Sequence, residues 1–125
     1  MAARNNFKSG SCEMLVLHIL KEYGDCYAYQ LSQYINKLSE GEIHFPEGSF
    51  YPTFYKLLEK KYISDYKKIV GRRMTRIYYH IEPEGEQRLN SLITEFYTTI
   101  DAIKKILTFD FSTLENQISE NNESK

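Results

Sequence analysis

Gly48-Ser49-Phe50-Tyr51-Pro52-Thr53-Phe54-Tyr55-Lys56-Leu57-Leu58-Glu59-Lys60-Lys61 is the stretch on which the fold turns. Phe50, Phe54, Leu57 and Leu58 stand at i, i+4, i+7 and i+8, one stripe of a helix of period 3.6 that faces a core. Ser49 is placed to cap this helix, and Pro52 falls in the first turn, where a missing N–H costs little. Ser49, Thr53, Lys56 and Lys60 lie away from the stripe, hydroxyls first and ammonium groups last, all of them donors suited to phosphates and base edges. A charged outer face is also what an ordinary solvated helix shows, so the neighbouring segments must decide between the two readings.

Downstream the period shifts from 3.6 towards 2. Tyr62-Ile63-Ser64-Asp65-Tyr66-Lys67-Lys68-Ile69-Val70 and Arg76-Ile77-Tyr78-Tyr79-His80-Ile81 are rich in β-branched and aromatic residues. The segment Gly71-Arg72-Arg73-Met74-Thr75 joins them as a five-residue hairpin loop with two arginines at its tip. Upstream, Glu13 to Tyr23 is apolar over a wide face and stops at Gly24-Asp25, which predicts a largely buried helix. Ala28 to Leu38 repeats Leu31, Tyr34, Ile35 and Leu38 at i, i+3, i+4 and i+7, a second helix. Ser39-Glu40-Gly41-Glu42 breaks it, and Ile43-His44-Phe45 is extended ahead of Pro46. His18, alone among aliphatic residues, reads as a core or boundary residue rather than a catalyst.

From Pro83 a single apolar stripe, Leu89, Leu92, Ile93, Phe96, Ile100, Ile103 and Leu107, runs for about five turns. That exceeds what a core of this size needs, and predicts a symmetric dimer through these seven residues, with the first helix as a second candidate surface. Phe96 and Tyr97 are candidates to line a ligand cavity, although an apolar stripe is more often interface alone. The expected organisation is therefore a flexible arm at 1–10, a domain of three helices and a hairpin at 11–82, a dimerisation helix at 83–111 and a polar, frayed tail at 112–125.

Composition limits the function classes. The 125 residues suffice for one domain with a modest core. The formal net charge of -1 conceals a local excess, because residues 51–80 hold eight basic and two acidic side chains. Half of the 16 Lys and Arg thus fall in thirty consecutive residues, the footprint of a polyanion partner on one face. Cys12 and Cys26 lack companions for a metal set and read as small core hydrophobes. No metal or cofactor site is expected. No Gly-rich phosphate loop, nucleophile elbow or ligand-spaced histidine is present, so no enzyme reading survives. The polar start lacks a signal-peptide core, and no apolar run approaches the ~18 residues of a membrane span; a cytoplasmic protein is expected.

Three helices, a two-stranded hairpin with a basic tip and an added helix make a mainly α chain with a small β-hairpin (α+β), in the order of a winged helix-turn-helix. In that arrangement the third helix enters the major groove and the wing meets the backbone or the minor groove. The candidate contacts are Ser49, Tyr51, Thr53, Lys56 and Lys60 on the helix and Arg72, Arg73 and Arg76 on the wing. Tyr51 has two readings, a hydroxyl offered to a phosphate or a ring packed beneath the helix. The competing function is a winged-helix adaptor whose basic face meets an acidic protein.

The same residues carry a resemblance to the PadR-like transcriptional regulators over most of residues 11–100. Tyr27-Ala28-Tyr29-Gln30-Leu31 looks like that family's Tyr-Gly-Tyr-Glu-Leu/Ile, and Gly48-Ser49-Phe50-Tyr51-Pro52 resembles its Gly-Ser/Thr-Leu-Tyr-Pro. Lys56-Leu57 and Glu59 continue in register, and Arg76-Ile77-Tyr78-Tyr79 with Glu84-Gly85 resembles its Arg-Lys-Tyr-Tyr and Glu-Gly motifs. Ala28 in place of Gly, Lys61 where Gly is common and Glu82-Pro83 in place of Thr depart from the pattern, the last two at a turn and a cap. The resemblance implies a cytoplasmic homodimeric repressor on double-stranded operator DNA, of the compact branch with a single C-terminal helix. It also implies release by a small aromatic or drug-like inducer near the dimer interface. A homodimer in turn implies a palindromic operator.

Overall fold

The computed structural model describes residues 2–113. In chain order it has α1 (Ala2–Glu22), β1 (Cys26–Tyr27), α2 (Ala28–Leu38), a one-turn 3₁₀ helix (Glu47–Phe50), α3 (Tyr51–Glu59), β2 (Ile63–Val70), β3 (Met74–Ile81) and α4 (Pro83–Leu107). Residues 2–10, expected as an arm, belong to α1, which starts nine residues ahead of Ser11. α4 ends at Leu107, short of 111, and the tail expected from Ser112 lies outside the described residues from Leu114 onwards. Among the described residues no helix is long and apolar enough to cross a membrane.

The chain divides into two units, one ending at Ile93 and one beginning at Thr94. The first turns of α4 therefore fall in the same unit as the first three helices and the sheet. In that unit Val16, Leu17 and Leu20 of α1, Leu31 and Ile35 of α2, and Phe50, Phe54 and Leu57 form one core, closed by Tyr79 of β3 and Leu89 of α4. Phe54 is its centre, stacked on Tyr79 at 3.9 Å and on Phe50 at 5.7 Å between ring centroids. Such pairs add to the burial of large rings. Cys12 and Cys26 are free and buried, as small core residues. Leu38, at the last position of α2, lies outside the core and is exposed; His18 of α1 is exposed too.

The sheet has the order β1-β3-β2, all antiparallel. The hairpin pairs Ile63 with Ile81 through to Val70 with Met74, so the loop is the three residues 71–73, two shorter than expected, with Gly71 at φ +66. β1 is two residues long, pairing Cys26 with Tyr79 and Tyr27 with Tyr78, and it ties the wing to the helical body. Tyr27 then leads into α2, its N–H donated to the Gln30 side chain at 3.2 Å.

α3 ends in a tight reversal. Tyr62 N–H donates to the Leu57 carbonyl and Lys61 N–H to the Leu58 carbonyl, both at 3.0 Å, the paired bonds that close a helix through a left-handed residue. That residue is Lys61, at φ +61. A side chain there is strained, whereas glycine is not. Lys61→Gly is expected to raise stability by about 0.5–1 kcal/mol, read as a rise of a few degrees in Tm.

Gly85 answers a different need. A Cβ on it would collide with the Tyr62 backbone carbonyl and lie 2.9 Å from Ile81 Cγ1. The same carbonyl accepts the Glu82 N–H at 2.9 Å, so it cannot swing away without losing that bond. Gly85→Ala is therefore expected to cost about 2–3 kcal/mol, a fall of roughly 10–20 °C in the thermal melt.

Candidate nucleic-acid interface

With Phe50, Phe54 and Leu57 buried, α3 turns Tyr51, Tyr55, Lys56, Glu59 and Lys60 outward. The ring of Tyr51 meets Phe54 edge-on at 5.8 Å, and the residue stays 38% exposed. Tyr55, absent from the sequence candidates, is 67% exposed and lies 6.4 Å from Tyr51. Its position one turn after Tyr51 was the available signal. Tyrosine in that place offers a hydroxyl donor and an apolar edge for a thymine methyl.

Two hydroxyls expected at the interface are engaged by the protein itself. Ser49 does not cap α3. Its Oγ donates to the Pro46 carbonyl at 2.7 Å inside the 3₁₀ turn, and its N–H donates to the same oxygen at 2.9 Å. The residue is nevertheless exposed. Thr53 is half-buried, and its hydroxyl bonds the Cys12 thiol. Burial raises the pKa of that thiol, with the Thr53 hydrogen bond opposing the effect.

Lys56 is exposed but lies 3.4 Å from Oε1 of Glu13 on α1, while Arg88 Nε of α4 donates to Oε2 of the same carboxylate at 2.9 Å. Burial pushes the Glu13 carboxyl up, but the Arg88 hydrogen bond and charge, followed by Lys56, hold it below its ordinary pKa. Lys60 is exposed at the end of α3.

On the wing, Arg72 and Arg73 are exposed at the tip. Arg76 behaves differently: half-buried, it places its guanidinium 4.4 Å from the Tyr27 ring, a cation–π contact that braces β3 against β1. It also lines, with Tyr27, Glu47, Tyr51 and Thr75, a cleft of about 200 Å³ between the sheet and the 3₁₀ turn. The structure thus brings Tyr51 and Arg76 together, with the Glu47 carboxylate beside them. Beyond Arg76, Lys68 lies 5.3 Å over the Tyr78 ring, and Tyr78 stacks on Tyr66 at 5.7 Å.

Asp25, in the turn before β1, clamps the base of the wing. One carboxylate oxygen accepts the Tyr66 hydroxyl at 2.8 Å and the other lies 2.7 Å from His80 Nδ1. The hydrogen bond to Asp25, helped by the charges of Asp25 and Glu82, raises the His80 pKa above its ordinary 6.5 against the opposing effect of burial. A raised folded-state value means that the pair stabilises fully below pH 6.5 and that its contribution fades as pH rises through the folded pKa. Asp25→Asn should bring the His80 titration, followed by NMR, back down towards 6.5; an unmoved midpoint would remove Asp25 as the cause.

On α4, Leu89 is 1% exposed and belongs to the core of its own chain, so it leaves the expected dimer stripe. Leu92 and Ile93 are partly buried against that core. In the second unit Phe96 and Ile100 are half-buried, Ile103 and Leu107 are exposed, and Phe96 meets Tyr97 edge-on at 5.3 Å.

A three-helix body, a helix with a free outer face and an arginine-tipped hairpin define a winged helix-turn-helix protein. The chain belongs to the PadR-like family of transcriptional regulators, whose sequence model matches residues 16–91. It is similar to the solved structure of a transcriptional regulator from Clostridium thermocellum, with 29% identity, covering 80% of this chain and 93% of that one, and a TM-score of 0.71. A PadR family regulator from Eggerthella lenta is 23% identical over 87% of this chain and 92% of its own, with a TM-score of 0.72. Bacillus subtilis PadR, solved in complex with operator DNA, shares the fold at 20% identity and a TM-score of 0.58, covering 65% of this chain and 46% of that one. The members of this family are regulators of transcription, not enzymes.

Proposed function

We propose that this chain is a sequence-specific DNA-binding regulator, a homodimeric cytoplasmic repressor that reads a palindromic operator with α3 and grips its backbone with the wing. The observation that carries the reading is the exposed face of α3, Tyr51, Tyr55, Lys56 and Lys60, followed in the chain by a hairpin with Arg72 and Arg73 exposed at its tip. The complex of Bacillus subtilis PadR with operator DNA supports it by fold. Arginines at a solvated tip have no packing role, and a phosphate or a narrow minor groove is the partner that suits them.

Selection of bound fragments from a genomic or random DNA pool tests the reading. A twofold-symmetric site, bound with a steep log–log dependence on salt, is the expected result. No enriched site, or binding insensitive to salt, would leave the adaptor function instead.

The inducer reading extends to Phe96 and Tyr97, the aromatic pair on α4 that a small aromatic compound would meet near a dimer interface. Release of the selected fragment by such compounds from the wild type, but not from Tyr97→Ala, is its test.

A further inference from the structure

Among the described residues, Glu13 of α1 pairs with both Lys56 of α3 and Arg88 of α4, and its side chain is 11% exposed. One carboxylate faces two cations. Arg88 holds it at 2.9 Å through Nε and at 3.5 Å through Nη2, a two-point grip from a side chain 35% exposed. Lys56 reaches it at 3.4 Å with a single ammonium, from a side chain 59% exposed. The arginine is therefore the structural partner and the lysine the loosely held one.

The three groups carry one positive charge in excess, and the Lys56 ammonium sits on the outward face of α3. We propose that Glu13 is a positioning residue that restrains Lys56 from DNA phosphate, with Arg88 setting the strength of the restraint by competing for the same carboxylate. The proposal rests on the reading of α3 as the DNA-facing helix. A phosphate approaching α3 must take the Lys56 ammonium from Glu13, and the more firmly Arg88 occupies the carboxylate, the less that transfer costs. Arg88 lies on the helix that continues into the proposed dimer stripe, so the affinity of α3 for DNA depends on a contact made by α4.

The test uses the full chain, a labelled duplex bearing the selected site and an unrelated duplex. Glu13→Gln keeps a hydrogen-bond acceptor for Arg88 but removes the charge; it is expected to tighten binding to both duplexes by about threefold, the scale of a partly exposed ion pair. Arg88→Gln, which leaves Lys56 as the cation facing Glu13, is expected to weaken both by a similar factor. In a Lys56→Met background neither change should alter affinity, a dependence that a purely structural role of Glu13 would not produce. Thermal melts establish that each variant is folded. Unchanged or weakened binding by folded Glu13→Gln, or effects that persist without Lys56, overturn the proposal. Should Glu13→Gln not fold, the decision passes to Arg88→Gln, where an unchanged affinity with Lys56 in place, or a change that persists in the Lys56→Met background, overturns the proposal. A wild type that binds neither duplex overturns the DNA reading itself, a result distinct from the others.

Discussion

Replacing Arg72 and Arg73 together by alanine is expected to weaken binding to every duplex by roughly 100-fold, with the preferred sequence unchanged. Both side chains are exposed at the end of the hairpin, beyond the last paired residues Val70 and Met74. Their removal takes nothing from the core, and Gly71, at φ +66, still makes the turn. Stability should stay within about 0.5 kcal/mol of the wild type. What is lost is charge at the backbone. Each phosphate contact contributes about 0.9 to the log–log salt slope, so two per protomer make the slope shallower by about 1.8, or about 3.6 for a dimer with both wings engaged. Arg76→Ala should behave otherwise. Its guanidinium braces Tyr27 at 4.4 Å, so stability falls along with affinity. Titrations at several salt concentrations separate the two. An unaltered slope for the double variant would remove the wing from the interface.

Residues whose role follows from local spacing were readable from the chain alone. The stripe of α3 placed Phe50, Phe54 and Leu57 in the core, and the alternation after Lys61 marked the hairpin, because helix and strand periods depend on near neighbours. Roles set by distant partners were not readable. Ser49 has the residue type of a helix cap, but it lies inside the 3₁₀ turn Glu47–Phe50, where the Pro46 carbonyl takes its hydroxyl. Thr53 lies opposite the stripe by helical angle, yet α1 brings Cys12 against it. Arg76 counts as wing charge until β1, too short for any periodicity, delivers Tyr27 beneath it. Glu13 reads as one more acidic residue at a helix start, since its partners are 43 and 75 residues away. The same holds for Leu89: a continuous stripe cannot say where the chain's own core ends and a partner's surface begins, and only the packing of α4 against the winged-helix core assigns that residue inward.

That division of α4 selects the variant for the second large effect. Glutamate at Leu89, Leu92 or Ile93 would strike the protein's own core and confuse unfolding with dissociation. Ile100, Ile103 and Leu107 lie beyond Ile93 on the same helical stripe; Ile103 is 42% exposed and Leu107 is 77% exposed. An apolar row of this kind is what a symmetric partner covers. Ile100→Glu, Ile103→Glu and Leu107→Glu combined are expected to leave the winged-helix unit folded, with the thermal melt of a monomer. Across a twofold axis they oppose six carboxylates and remove the apolar contact, so light scattering should report half the wild-type mass at micromolar concentration. A monomer engages one half-site at a time. The second contact is then no longer intramolecular, and affinity for the full operator should fall by 10²-fold or more while half-site affinity is kept. A dimer that persists in light scattering would exclude this stripe as the main interface. A monomer that held the operator with wild-type affinity would instead exclude the twofold reading of the site.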